Sequence, residues 1–181
     1  MSQNMWSELV VIGGGAAGML AAGTAAEQGV RVTLLEPNER LGKKLYITGK
    51  GRCNVTNDCA AEDFFKNVPR NPRFLYSSVY GFPPQDMMAL LERLGCPLKV
   101  ERGARVFPQS DKSASVIDAL RGYLHAGGVQ VRRGRAAEIL AQGGMVTGVR
   151  TEDDIIVPAR AVILATGGCS YPLTGSTGDG Y

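Results

Sequence analysis

The chain is short of several things that chemistry usually needs. It has one histidine, His125, and one tryptophan in 181 residues. A single histidine rules out a Ser/His/Asp relay with any second imidazole, and leaves zinc ligation to cysteine alone. The four cysteines, Cys53, Cys59, Cys96 and Cys169, stand too far apart to make a zinc pattern. A disulfide framework is not expected in a chain long enough to build its own core, so a reducing, cytoplasmic setting is expected. Charge of one sign is also scarce: 20 bases against 17 acids leave +3, too mild to imply a polyanionic partner. There is no internal repeat and no low-complexity linker. The uncharged run near the N-terminus, Leu9 to Ala26, contains five glycines and follows Glu8 with no Lys or Arg ahead of it. That is neither the positive start and apolar stretch of a signal peptide nor a membrane span.

Glycine is what the chain has in excess, 24 of 181 or about 13% against a usual share of about 7%. With no Gly-X-Y period, the excess marks turns and close backbone approaches. The first cluster follows the apolar stretch Leu9-Val-Val-Ile12 and opens an alanine-rich segment, Ala16 to Gln28, that predicts a helix ended by Gly29. Val30-Arg-Val-Thr-Leu-Leu35 then reads as a strand buried on both faces. This is a βαβ unit over about residues 7–36 with Gly13-x-Gly15-x-x-Gly18 at its first turn. Gly13 permits the tight turn, Gly15 lets a pyrophosphate approach the backbone, and Gly18 lets helix and strand pack closely. Free N–H groups at the helix start face the phosphates. Ala22 and Ala26 keep the packed face small. Glu36 closes the second strand, where a carboxylate accepts hydrogen bonds from a ribose diol and repels a 2′-phosphate.

Residues 37–58 read as a long loop carrying Arg40, Lys43, Lys44, Lys50 and Arg52 among Gly42, Gly49 and Gly51. Bases on a glycine-rich backbone suit an anion, and the nearest expected one is the same pyrophosphate. No ring beyond Tyr46 interleaves with these bases, so a nucleic-acid partner is not expected there. Residues 59–128 read as a helical and short-strand region. Met87, Leu90, Leu91 and Leu94 after Pro83-Pro84 predict one helix, and Val116, Ile117, Leu120, Tyr123 and Leu124 another. Leu98 to Pro108 reads as two strands turning at Arg102-Gly103. His125 falls off the apolar stripe at a helix C-terminus, as a surface or capping residue. Residues 129–166 read as a β-meander followed by a last parallel strand, Ala161–Ala165, and 167–181 as a turn at its C-terminal end. No catalytic residue and no metal ligand emerges. A chain with no acid–base constellation of its own draws its chemistry from a cofactor.

Three strings point the same way: Gly13-Gly-Gly-Ala-Ala-Gly18 with Glu36; Leu41-Gly-Lys-Lys-Leu-Tyr-Ile-Thr-Gly-Lys-Gly-Arg-Cys-Asn-Val-Thr-Asn57; and Ala165-Thr-Gly-Gly-Cys-Ser-Tyr-Pro-Leu-Thr-Gly-Ser-Thr-Gly-Asp-Gly-Tyr181. Together with Tyr80-Gly-Phe-Pro-Pro-Gln-Asp86 and Arg105-Val-Phe-Pro108, they resemble the bacterial FAD-dependent oxidoreductases grouped with aminoacetone oxidase and the bile-acid-reducing flavoproteins, the BaiN/YhiN type. The resemblance implies an α/β fold, a glutathione-reductase-like FAD/NAD(P)-binding Rossmann-type domain with a small antiparallel β-meander. It implies FAD as cofactor, a small-molecule substrate, NAD(P)H as electron donor, and neither nucleic acid nor membrane as partner.

By that resemblance Gly13, Gly15, Ala16, Ala17 and Gly18 would cradle the pyrophosphate and Glu36 would hold the adenosine ribose. Lys43, Lys44, Gly51, Arg52, Cys53 and Asn54 would run along the flavin side. Ala136 would meet adenine, Thr166 and Gly167 would match the second flavin-side strand end, and Asp179 the Gly-Asp-Gly turn. Members of that group are about twice as long, so an N-terminal part lacking the second half is expected, with apolar surfaces open to self-association. Two alternatives stand beside the oxidoreductase reading. One is a truncated dinucleotide-binding module without catalysis. The other is a thiol–disulfide flavoenzyme using Cys53 and Cys59, which stand where pyridine-nucleotide disulfide reductases carry their redox pair. Five residues intervene here instead of four, and on an ideal helix that spacing puts the Cα atoms roughly 10 Å apart, beyond the roughly 7 Å a disulfide tolerates.

Overall fold

The computed structural model describes residues 6–169 and 178. In chain order the first elements are β1 (Leu9–Ile12), α1 (Ala16–Glu27), β2 (Val32–Glu36) and β3 (Thr56–Asn57). There follow α2 (Ala61–Lys66), α3 (Tyr76–Gly81), α4 (Pro84–Arg93), β4 (Leu98–Glu101) and β5 (Arg105–Pro108). The last are α5 (Ser113–Ala126), β6 (Gln130–Arg133), β7 (Ala136–Gln142), β8 (Met145–Thr151), β9 (Ile156–Pro158) and β10 (Ala161–Leu164). The chain divides into two units, Met1–Leu45 with Leu120–Tyr181, and Tyr46–Ala119.

The first unit is built on a parallel sheet ordered β10-β1-β2-β6. Every residue of β1 and β2 is buried, as two central parallel strands require, while the edge strands β6 and β10 keep side chains in solvent. On one face Val10, Ile12 and Leu35 pack with Val149, Val157 and Ala159 from the antiparallel β7-β8-β9 sheet and its exit. α1 buries Met19, Ala22 and Ala26. A β-carbon on Gly23 would come within 2.3 Å of the Tyr123 ring, so the small face of α1 exists to receive α5. Tyr123 closes that contact by donating its hydroxyl to Glu27 at 2.6 Å.

One boundary needs correcting. The stretch taken as the start of a meander, Gln130–Arg133, is a fourth parallel strand, with Leu34 opposite Val131 and Glu36 opposite Arg133. Its edge position leaves it polar and exposed, which is why its pattern resembles a meander strand. The meander is β7, β8 and β9 alone.

In the second unit β3, β5 and β4 form a small antiparallel sheet, with the expected turn between Glu101 and Arg105. α4 buries Leu90 and Leu91, and the first part of α5 buries Val116 and Ile117, while its Leu120, Tyr123 and Leu124 are buried in the first unit. Residues 45–57, expected to be loop, contain 3-10 turns within Leu45–Gly51 that are interrupted by a kink at Thr48, Gly49 and Lys50, and the two-residue strand β3. The six-residue α2 and α3 are too short to show a helical period in sequence. Among the described residues no helix is long and apolar enough to cross a membrane.

Candidate functional site

The turn between β1 and α1 is set by contacts that admit no side chain. Gly13 takes φ +106 and donates its N–H to the Leu35 carbonyl at 2.8 Å. A β-carbon there would lie 2.4 Å from the Ala165 oxygen, and one on Gly18 would lie 1.8 Å from the Gly13 oxygen. The two glycines thus let β1, β10 and α1 converge. Gly15 is different, because a β-carbon built on it meets nothing within 4 Å. It is the N-cap of α1, no side chain caps the helix, and Ala16 and Ala17 are exposed. The first N–H groups of a helix have no intrahelical acceptor, and here they open onto free space beside a positive helix end.

Glu36 ends β2 beside this turn. Its Oε2 accepts the Gly14 N–H at 2.7 Å, and its Oε1 accepts the Asn38 backbone N–H at 2.8 Å and side-chain amide at 2.5 Å. Three of a carboxylate's roughly four acceptor positions are filled, and the remaining one is on Oε2. Leu41 leans on Gly14, and Gly42 donates its N–H to the Gly14 carbonyl at 2.8 Å, so the chain folds back over the turn. Lys43 and Lys44 follow it, both exposed, with Lys43 Nζ 3.4 Å from the Asn38 amide oxygen.

Because all four strands of the parallel sheet run the same way, their carboxyl ends share one rim. A cavity of about 590 Å³ lies there, lined by Ile12, Pro37, Gly134, Ala136, Leu164 and Thr166 among others. Crevices outside the carboxyl ends of parallel strands are where this class of sheet takes ligands. Ala136 and Thr166 were predicted at the site from sequence. Ile12, Pro37, Gly134 and Leu164 were missed, though each ends or directly follows a strand of this sheet. Gly167 takes φ +84 just beyond. Asp179 lies outside the described residues.

Gly51, Arg52, Cys53 and Asn54 belong to the second unit. Gly49, Lys50, Gly51 and Cys53 all take left-handed φ, between 56 and 85. Cys53 donates its N–H to the Thr48 carbonyl at 3.0 Å. Arg52 stacks over Phe107, 4.2 Å from the ring centroid, and bonds Glu101 and Asp111 through Nη2, both at 2.5 Å. Lys99 Nζ joins Asp111 at 2.6 Å. The Lys99 and Arg52 contacts hold the Asp111 carboxyl below its usual range, and Arg52 does the same for Glu101. The Arg52 charge is thereby shared between two carboxylates.

The cysteines are free thiols. Burial pushes the Cys53 thiol up, and partial burial with Asp63 and Asp58 nearby pushes Cys59 up. Both shifts favour the protonated thiol, opposite to what a redox pair uses. His125 is exposed in the last turn of α5. Among the described residues no cluster of His, Cys, Asp or Glu could hold a metal.

Residues 7–181 match the HI0933-like protein Rossmann domain. Among curated proteins the chain is 34% identical to a 3-dehydro-bile acid delta(4,6)-reductase of Clostridium scindens, over 94% of this chain and 41% of that protein. It is 29% identical to the ribosomal RNA dihydrouridine synthase of Escherichia coli, over 96% of this chain and 42% of that one. The chain therefore spans about two fifths of the length of the curated relatives it matches. Among solved structures, the 3-ketosteroid-delta4-(5alpha)-dehydrogenase of Rhodococcus jostii superposes with TM-score 0.65 at 18% identity, over 92% of this chain and 47% of that one. This last likeness is one of fold.

Proposed function

Since this chain belongs to the HI0933-like Rossmann-domain family, we propose that it is the FAD-holding part of an oxidoreductase that moves hydride or electrons between flavin and a small organic substrate. The observation that carries the reading is the contrast within one turn: Gly13 and Gly18 are closed against backbone, while Gly15 opens onto free space at an uncapped helix start. A turn built only to be compact would have no need to leave that third position bare.

The donor set fits a dinucleotide. Ala16, Ala17 and Gly18 offer backbone N–H groups to a pyrophosphate, and Gly15 lets it approach. Glu36, aimed by Gly14 and Asn38, offers its remaining acceptor position on Oε2 to a ribose hydroxyl and repels a 2′-phosphate. The cavity around Ala136, Pro37 and Gly134 has room for the adenosine end, and Thr166 lines it on the flavin side. Lys43 and Lys44 supply positive charge after the turn, and Gly51 to Asn54 with Gly167 and Asp179 complete the flavin-side set that the family resemblance assigns. When bound, FAD supplies the ring that takes or gives hydride. The chain's residues bind, orient and shield its phosphates. The substrate, NAD(P)H as donor, and a cytoplasmic setting belong to the same proposal.

Fluorescence titration of the purified chain with FAD, FMN and NADP⁺ tests it. Saturable FAD binding, with FMN weaker for want of the adenosine half and NADP⁺ weaker for its 2′-phosphate, is expected. No FAD binding, or FMN bound as well as FAD, overturns it.

A further inference from the structure

Glu36, Pro37 and Asn38 close β2 together. Proline fixes its own φ and favours an extended residue before it, so the strand runs to Glu36 before the chain turns. The turn brings two donors of Asn38 onto one oxygen of Glu36. Its backbone N–H reaches Oε1 at 2.8 Å and its side-chain amide reaches the same atom at 2.5 Å. Glu36 is buried, while Asn38 and Lys43 are exposed. The other end of the amide faces Lys43, whose Nζ donates to Asn38 Oδ1 at 3.4 Å. A cation on its oxygen and a carboxylate on its nitrogen leave this amide one satisfactory orientation. Reversed, it would turn its NH2 to the lysine and its oxygen to the carboxylate.

We infer that Asn38 and Lys43 are positioning residues for a ribose diol. Lys43 orients the Asn38 amide, and Asn38 saturates Oε1, so that Oε2 is the atom of Glu36 left to accept from the sugar. The inference rests on the dinucleotide reading and refines it, since resemblance assigns Lys43 with Lys44 to the flavin side. Among the described residues the partner of Lys43 is Asn38, which leads to the ribose acceptor. A glutamate without these donors would sample its rotamers and lose that freedom when the sugar binds. One already held by Gly14 and Asn38 has lost it on folding. Removing the Asn38 side chain leaves the Gly14 and Asn38 backbone bonds in place, so what is lost is the aim of the carboxylate.

Calorimetric titration of the purified chain with ADP and with 2′,3′-dideoxy-ADP tests it. ADP should bind about tenfold more tightly, through hydrogen bonds to a charged acceptor. Asn38→Ala should bring that ratio to about threefold or less, and Lys43→Met should lower it at least about twofold, as pre-organisation is lost. Both ligands carry the same phosphates, so a lysine acting on phosphate alone weakens both alike and leaves the ratio standing. Lys44→Met, the same charge change one residue on, should do just that. Circular dichroism and continued binding of the dideoxy ligand check the fold. A ratio unchanged in Asn38→Ala or in Lys43→Met overturns the inference, as does one that falls equally far in Lys44→Met. An Asn38→Ala chain that loses both ligands together also overturns it, because Asn38 then holds the fold. A ratio near one in the unsubstituted chain overturns it too, and FAD binding by that chain would leave the dinucleotide reading standing. A chain that binds neither ADP nor FAD overturns both.

Discussion

A β-carbon built on Gly13 or Gly18 would stand 2.4 or 1.8 Å from a backbone oxygen, whereas one on Gly51 would meet nothing closer than 3.8 Å. Both turns are glycine-rich and both are followed by residues predicted to contact the cofactor, yet they are held in shape by different forces. After β1, glycine answers to space: two strands and a helix converge on atoms that cannot move apart. Before β3, the backbone is held by left-handed dihedrals, by Cys53 bonding back to Thr48, and by Arg52 fixed between Phe107, Glu101 and Asp111. The first turn is held chiefly by space; the second is close-packed at Gly49, where a β-carbon would lie 2.9 Å from the Asn54 nitrogen, but around Lys50 and Gly51 it is held by dihedral angle and charge. Substitutions should separate them.

The largest effect is expected at Gly18. A methyl there overlaps the Gly13 carbonyl, a backbone atom of a residue whose N–H is bonded to Leu35, and it cannot yield as a flexible side chain would. Gly18→Ala should destabilise the chain by about 3 kcal/mol or more, the upper end for overpacking. Urea denaturation measures it, and a loss under 1 kcal/mol would mean the turn relaxes and is not steric after all.

Gly15→Ala comes next, and it splits the same turn in two. With open space around that position, stability should change by no more than about 0.5 kcal/mol, the range of substitutions away from packed features. FAD affinity should nonetheless fall at least about tenfold, because the methyl stands where the pyrophosphate approaches. Equal FAD affinity in Gly15→Ala and the unsubstituted chain would remove the observation on which the proposed function stands.

How much of this could be read from sequence follows the same division. The βαβ unit, the glycine turn and Glu36 were legible because each is local: strand, turn, helix and acid follow one another, and their spacing carries the geometry. The stripes of α4 and α5 were legible from their period. What was not legible depended on distant partners. Gln130–Arg133 looks polar because it is an edge strand, and only its pairing to β2 places it in the parallel sheet. Arg52 was read as a free base beside glycines, and nothing near it in sequence announces Glu101 or Asp111, about 50 and 60 residues on. The cavity residues Ile12, Pro37, Gly134 and Leu164 share a rim only once the strands are aligned. The bases at 40–52 drew notice through their glycines.

A smaller effect, and a test of the electrostatic half, is expected at Asp111. Its residue takes φ 56, a conformation asparagine also tolerates, so Asp111→Asn removes the charge while sparing the backbone. The folded carboxyl is held below its ordinary value by Lys99 and Arg52. Its stabilisation is therefore fully present above the ordinary carboxylate range, near pH 4, and is lost as pH falls through the lowered value. The melting temperature of Asp111→Asn should lie below that of the unsubstituted chain at neutral pH, with the gap closing below about pH 4. High salt should narrow it too, since the pair is partly exposed. A gap that persists unchanged in acid would show that Asp111 acts through its shape.

The smallest effect concerns Lys50, and it turns the comparison around. Lys50 takes φ 59 in an exposed position between Gly49 and Gly51, where a side chain costs about 1–2 kcal/mol and glycine costs nothing sterically. Glycine loses about 0.5–1 kcal/mol of chain entropy in exchange. Lys50→Gly should thus stabilise the chain by a few tenths of a kcal/mol up to about 1, read from the urea midpoint. Adding a glycine to an already glycine-rich turn raises stability only if dihedral angle, and not space, is what that turn demands. A loss of stability in Lys50→Gly would mean that the lysine side chain holds the loop, and the two turns would no longer differ in the way argued.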